Sequence, residues 1–188
     1  MDESEYVTEH RRVLHIVAGA RTDGLGAVEA ADALLASMAV QAPQVRIDEL
    51  DAGTLTLRRV HDGPAGGPSW WGQVVRAGSS SPTDSLILRH LAAADCYVVS
   101  VPEARAVGPG LCRVLQVARG PQPRLPLAHR HRWQHRQGRR MVVVAARDEA
   151  DPTALDDLVE TVREAFQRLD VPEVGVMCGE PGPALPAR

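Results

Sequence analysis

Residues 96–102, CYVVSVP, form an unbroken apolar run closed by proline, and a segment with helical spacing, GPGLCRVLQVARG, follows at 108–120. A strand that is apolar on both sides belongs inside a sheet covered on both faces, which is the condition of parallel sheets. The loop leaving the C-terminal end of such a strand is where an open α/β sheet holds its ligand. Residues 102–106 are therefore the first place to look for function.

The rest of the chain repeats that pattern. RRVLHIVAG at 11–19 is a short apolar run ending in glycine, and GAVEAADALLASMAVQA follows with apolar residues three and four apart. QVRIDEL at 44–50 alternates Val45, Ile47 and Leu50 with polar neighbours and reads as a strand nearer a sheet edge. Residues 51–82 turn to glycine, proline, serine and charge, with the pair Trp70 and Trp71, and read as a long surface excursion. A helix capped by Thr83 leads into the 96–102 strand. MVVVAAR at 141–147 supplies a fourth strand. In DPTALDDLVETVREAFQRL at 151–169, Asp151 and Pro152 open a helix whose apolar face is Leu155, Leu158, Val159, Val162, Phe166 and Leu169. EVGVMCGE at 173–180 is the fifth strand, and the proline-rich 181–188 cannot continue a helix. Right-handed crossovers between five such strands predict an α/β three-layer sandwich, a five-stranded parallel sheet with helices on both faces in the flavodoxin-like order.

Composition limits the function classes. The 188 residues suit a single domain, 1–188, with a polar N-terminal tail over 1–10 and a C-terminal tail over 181–188; 44% hydrophobic with 24% charged is ordinary for a globular protein. A net charge of −3 gives no global reason to expect nucleic acid or a membrane surface. The N-terminus lacks the apolar core of a signal peptide, and no apolar run reaches membrane-spanning length, so a cytoplasmic location is expected. Cys96, Cys112 and Cys178 have no metal-ligand spacing and are expected as buried thiols. All basic side chains are arginine, the mark of a GC-rich coding bias, so clusters of arginine count for less here.

The order of segments resembles the FMN-dependent NADH azoreductase and NAD(P)H quinone reductase family. RVLHIVAG is similar to that family's first strand, ADALLA to its first helix, and IDELDAGTLTL to its second strand with the segment after it. HLAAADCYVVSVP, GRRMVVVAARDEA and DLVETVREAFQRLDVPEVGVMCGE resemble its later motifs, so the likeness runs from about Arg12 to Glu180. It implies a flavodoxin-like fold, FMN with NADH or NADPH as cofactors, hydride transfer to a conjugated small-molecule substrate, and active sites at a dimer interface, with a second copy or a homologue as partner. It also implies a flavin site at Ala18, Gly19, Arg21, Thr22 and Leu25 after the first strand, at Pro102, Glu103, Ala104 and Arg105 after the third, and at Arg147 after the fourth.

At those positions the residues depart from the family. Ala18, Gly19, Leu25 and Ala27 fall about where serines would hold the FMN phosphate, although Arg21 and Thr22 offer charge and a hydroxyl. Glu103 and Arg105 replace aromatic and amide side chains beside the ring; Asp148 and Glu149 replace glycines. Three readings follow. The chain is a flavin-dependent oxidoreductase, a flavin-free enzyme, or a non-catalytic partner subunit of an intact homologue. In the flavin-free enzyme, Glu103 acts as general acid or base and Arg105 clamps an anionic or carrier-linked substrate. Glu103 and Arg105 could equally pair with each other at the surface.

HRHRWQHRQGRR at 129–140 is the densest basic stretch. His129, His131 and His135 lack the spacing of a metal site, so no metal is assigned; the stretch is either a solvated loop or an anion-binding surface for a dinucleotide phosphate, coenzyme A or an acidic carrier protein. The Trp70 and Trp71 pair reads as a pocket cover or a subunit contact. No nucleophile elbow, P-loop or zinc-protease motif is present, and nothing in the spacing joins Ser100, Cys112 and His90.

Overall fold

A computed structural model describes residues 12–19, 25–62, 80–102, 107–120, 139–146, 152–169, 171 and 173–179. The apolar runs become strands β1 (Arg12–Val17), β2 (Arg46–Asp51), β4 (Cys96–Val101), β5 (Arg140–Ala146) and β6 (Glu173–Gly179). These pair in parallel in the order β2-β1-β4-β5-β6, the expected flavodoxin-like order.

The sheet has a sixth strand, however, and is not all parallel. Strand β3 (Thr56–His61) lies inside the stretch read as an excursion and pairs antiparallel with the outer side of β2. The local cause is a tight reversal. The Asp51 carboxylate accepts the N–H groups of Gly53 at 2.8 Å and Thr54 at 3.1 Å, and Leu55 takes a left-handed φ of 53°. Thr56 to His61 then alternate, with Leu57 turned into the core and Arg58 held against Glu49 across the strand pair.

Four α-helices cover the sheet among the described residues: α1 (Leu25–Gln41), α2 (Ser80–Ala93), α3 (Pro109–Arg119) and α4 (Pro152–Phe166), the last followed by a 3-10 turn at Gln167–Leu169. Helix α1 is rich in Ala and Leu, both good helix formers. It stops where Pro43 approaches, with the Ala42 N–H closing on Met38 O at 2.9 Å. Helix α2 begins at Ser80, so Thr83 is a buried residue of its first turn instead of the expected cap. Helix α4 starts at Pro152 and buries Leu158, Val159, Val162 and Phe166, with Leu155 partly buried and Leu169 buried in the 3-10 turn, the face read from the sequence.

Two core clusters define the layers. Ala31 and Leu35 of α1 pack on Val13, Ile47, Val98 and Val144, one face of the sheet. Leu91 of α2, Val114 of α3 and Phe166 of α4 pack on Leu14, Ile16, Tyr97, Val99 and Val143, the other face. Tyr97 and Phe166 meet edge to face at 5.0 Å and 70°, an arrangement that adds about 1 kcal/mol to simple burial.

The basic 129–140 stretch is divided by the fold. Arg139, 3% exposed, donates to Ala92 O and Leu169 O at 2.9 Å each, tying the end of α2 to the 3-10 turn. It is therefore a structural cation and no part of an anion-binding surface; Arg140 opens β5. Residues 121–138, with His129, His131, His135 and Trp133, lie outside the described residues, as do Trp70 and Trp71. Against the expectation of buried thiols, Cys112 and Cys178 are exposed and Cys96 is only partly buried. Among the described residues no helix is long and apolar enough to cross a membrane.

Candidate functional site

Strands β1 and β4 are neighbours, and the helices α1 and α3 that follow them go to opposite faces. Their C-terminal ends are therefore the switch point, the place of the crevice at which such sheets bind ligands. Two backbone contacts fix its floor. Ala18 N–H donates to Ser100 O at 2.9 Å, and Ala52 N–H donates to Val17 O at 2.9 Å.

Close approach, more than side-chain chemistry, shapes the rim. A Cβ at Gly19 would stand 2.9 Å from Pro102 Cγ, so the segments leaving β1 and β4 touch where only glycine fits comfortably. At Gly110, in the first turn of α3, a Cβ would lie 1.8 Å from Ala52 O, which lets α3 seat its N-terminus directly on the turn after β2. Pro109 starts that helix and Gly108 caps it without a side-chain bond.

Of the residues singled out from the sequence, the structure brings together Ala18, Gly19 and Pro102. Leu25 is the first residue of α1, at the same end of the sheet. Arg21, Thr22, Glu103, Ala104, Arg105 and Arg147 lie outside the described residues, as do Asp148 and Glu149.

The structure adds a constellation that sequence reading did not find. On the α1 face a row of polar side chains crosses four adjacent strands: Arg58 of β3, Glu49 of β2, His15 of β1 and Ser100 of β4. Arg58 Nε and Nη2 donate to Glu49 Oε1 and Oε2 at 2.6 and 2.9 Å. His15 Nε2 and Ser100 Oγ are hydrogen-bonded at 2.9 Å, and both residues are fully buried. His15 Nδ1 stands 3.5 Å from Glu49 Oε2. The Arg58 pKa is raised, first by its hydrogen bond to Glu49, against an opposing effect of burial and with help from the charges of Glu49, Asp32 and Asp51.

Ser100 is thus bonded to His15, while His90 lies across the sheet, 4.0 Å from Asp48. The signal available in the sequence was a single polar residue inside each apolar run, RVLHIV and CYVVSV. Pairing them required the strand order and register.

No protein-family model and no curated protein matches the chain. Among solved structures it is similar to the azoreductase from Bacillus anthracis str. Sterne, at 15% identity and a TM-score of 0.54, covering 90% of this chain and 86% of that one. It is also similar to the azoreductase AzrA, at 13% identity and a TM-score of 0.56, with the same coverage. At such identities the likeness fixes the fold, a flavodoxin-like α/β sandwich extended by one antiparallel edge strand, and leaves the chemistry to the site.

Proposed function

We propose that the chain is a flavin-dependent NAD(P)H oxidoreductase of the azoreductase and quinone reductase kind, with FMN held in the crevice between the C-terminal ends of β1 and β4. The observation that carries this reading is the switch-point crevice itself, on a sheet shared over nine-tenths of the chain with two azoreductases. The described rim is compatible with that group. Ala18 and Gly19 bring backbone without bulk, and α1 opens at the same end with no acidic residue in its first turn to repel a phosphate.

The chemistry that bound FMN would supply is hydride transfer between NADH or NADPH and a conjugated acceptor. The chain's own part is to position the ring. Pro102 and Gly19 set the spacing of the two rim segments, and the Ala18–Ser100 bond keeps β1 and β4 in register below them. The substrate roles fall to Glu103, Arg105 and Arg147, which lie outside the described residues: Arg105 would clamp an anionic group and Glu103 would transfer a proton. The active protein is expected as a dimer with itself or a homologue.

The test is an absorbance spectrum of the purified chain before and after incubation with excess FMN and desalting. Retained flavin bands, followed by NADH or NADPH oxidation with a quinone acceptor, are the expected result. A folded protein that stays colourless in both samples overturns the proposal and favours the flavin-free readings.

A further inference from the structure

We propose that the face of the sheet beneath α1 carries a binding site for a divalent transition-metal ion of the zinc class, made by His15 Nδ1, Glu49 Oε2 and a carboxylate oxygen of Asp32. The site goes beyond the flavin reading and takes no ligand from the crevice. The three residues come from β1, β2 and α1, and one ligand atom of each lies within 4.8 Å of the other two. His15 and Glu49 are buried, and Asp32 is exposed on the helix above them.

The independent pointer to a ligand is His15. Its ring is 0% exposed, and Nδ1 has no hydrogen-bond partner among the described residues. In neither tautomer is that nitrogen satisfied. If Ser100 Oγ donates to Nε2, the Nδ1 proton is aimed at a carboxylate oxygen 3.5 Å away, beyond good hydrogen-bond length. If Nε2–H donates to Ser100 Oγ, Nδ1 turns a bare lone pair toward the Glu49 carboxylate, two acceptors that a cation between them would satisfy together. The second arrangement is the one metal-binding histidines use, with the far N–H anchored by an acceptor so that the ring is fixed and the near nitrogen is free to coordinate.

Ligand type and spacing agree. One imidazole and two carboxylates, with a fourth position open, suit zinc and its first-row neighbours better than magnesium or calcium, which take oxygen alone. Metal–ligand bonds of about 2.1 Å place ligands about 3.4 Å apart in a tetrahedral set, so from within 4.8 Å Asp32 has to close on the buried pair by at most about 1.4 Å. An exposed carboxylate on a helix surface can make that adjustment.

Arg58 is the built-in competitor. Its Nη2 occupies the same Glu49 Oε2 that the metal needs, while its Nε bonds Oε1. The Arg58 side chain is 55% exposed and borders an open groove of about 370 Å³ lined also by Asp32, Leu35, Ala39, Ile47 and Val60, which gives it room to withdraw.

The experiment is calorimetric titration of the full chain with zinc ion alone, with magnesium as control and circular dichroism to verify folding. One equivalent of zinc and no magnesium is expected to bind. Asp32→Asn, at an exposed position, is expected to weaken zinc binding about tenfold or more, and His15→Gln to abolish it. Arg58→Gln is expected to strengthen it several-fold, because a competing cation is gone; a purely structural row would not respond with that sign. Absence of zinc uptake by the native chain overturns the proposal. So does uptake that Asp32→Asn leaves unchanged, or uptake lost in a variant combining His129→Ala, His131→Ala and His135→Ala.

Discussion

His90 shows how one side chain sets the acid limit of the fold. It is 5% exposed, and its pKa is lowered to about 4 by burial first; the charge of Asp48 resists this, and the arginines Arg46, Arg12 and Arg89 add to it. In the unfolded chain the imidazole takes up a proton near 6.5, whereas in the folded one it stays neutral until about 4. The stability that this neutral histidine permits is complete above pH 6.5 and is lost as pH falls from there to 4, an effect on the order of 3 kcal/mol. His90→Leu is expected to flatten urea-unfolding stability between pH 7 and pH 4.5, measured beside the native protein. Gly110 makes the matching steric case. Its substitution by alanine puts a methyl onto Ala52 O and forces α3 off the sheet end, with an expected loss of about 2 to 3 kcal/mol in the same assay.

At the level of elements, legibility followed burial. Strands β1, β4 and β5 were readable because both their faces are covered, which leaves little but apolar residues in the run. Strand β3 was not, since an edge strand needs only one inward side chain, Leu57, and its remaining positions can be arginine and histidine. The turn chemistry of Asp51 and Gly53 is the one local sign of the hairpin that the sequence carries. Arg139 taught the reverse lesson. In sequence it belongs to a basic cluster; in the fold it is a buried clamp between α2 and the turn after α4. Arg139→Met leaves the carbonyls of Ala92 and Leu169 without that donor, at about 1 to 3 kcal/mol each, and is expected to lower the urea midpoint without altering the spectrum of a bound flavin.

Across the whole molecule, the cover of the sheet is unequal among the described residues: α1 on one face; α2, α3 and α4 on the other. Strands β1, β4 and β5 contribute to both core clusters, so neither layer can come apart alone. Far-UV and near-UV circular dichroism are therefore expected to report coincident unfolding transitions in urea. The crevice was legible as a place because it depends on strand order. Its chemistry was not, because Gly19 and Pro102 act by proximity and the row from Arg58 to Ser100 is assembled from four distant stretches of chain. That row also has a consequence for descent. Arg58 answers Glu49 and Ser100 answers His15, while His15 and Glu49 face each other in the buried middle, so a change at 15, 49, 58 or 100 alters the surroundings of a buried neighbour until a second change follows. Lineages that share this sheet should inherit those four positions as a linked set, and their covariation should stand out from the drift around them.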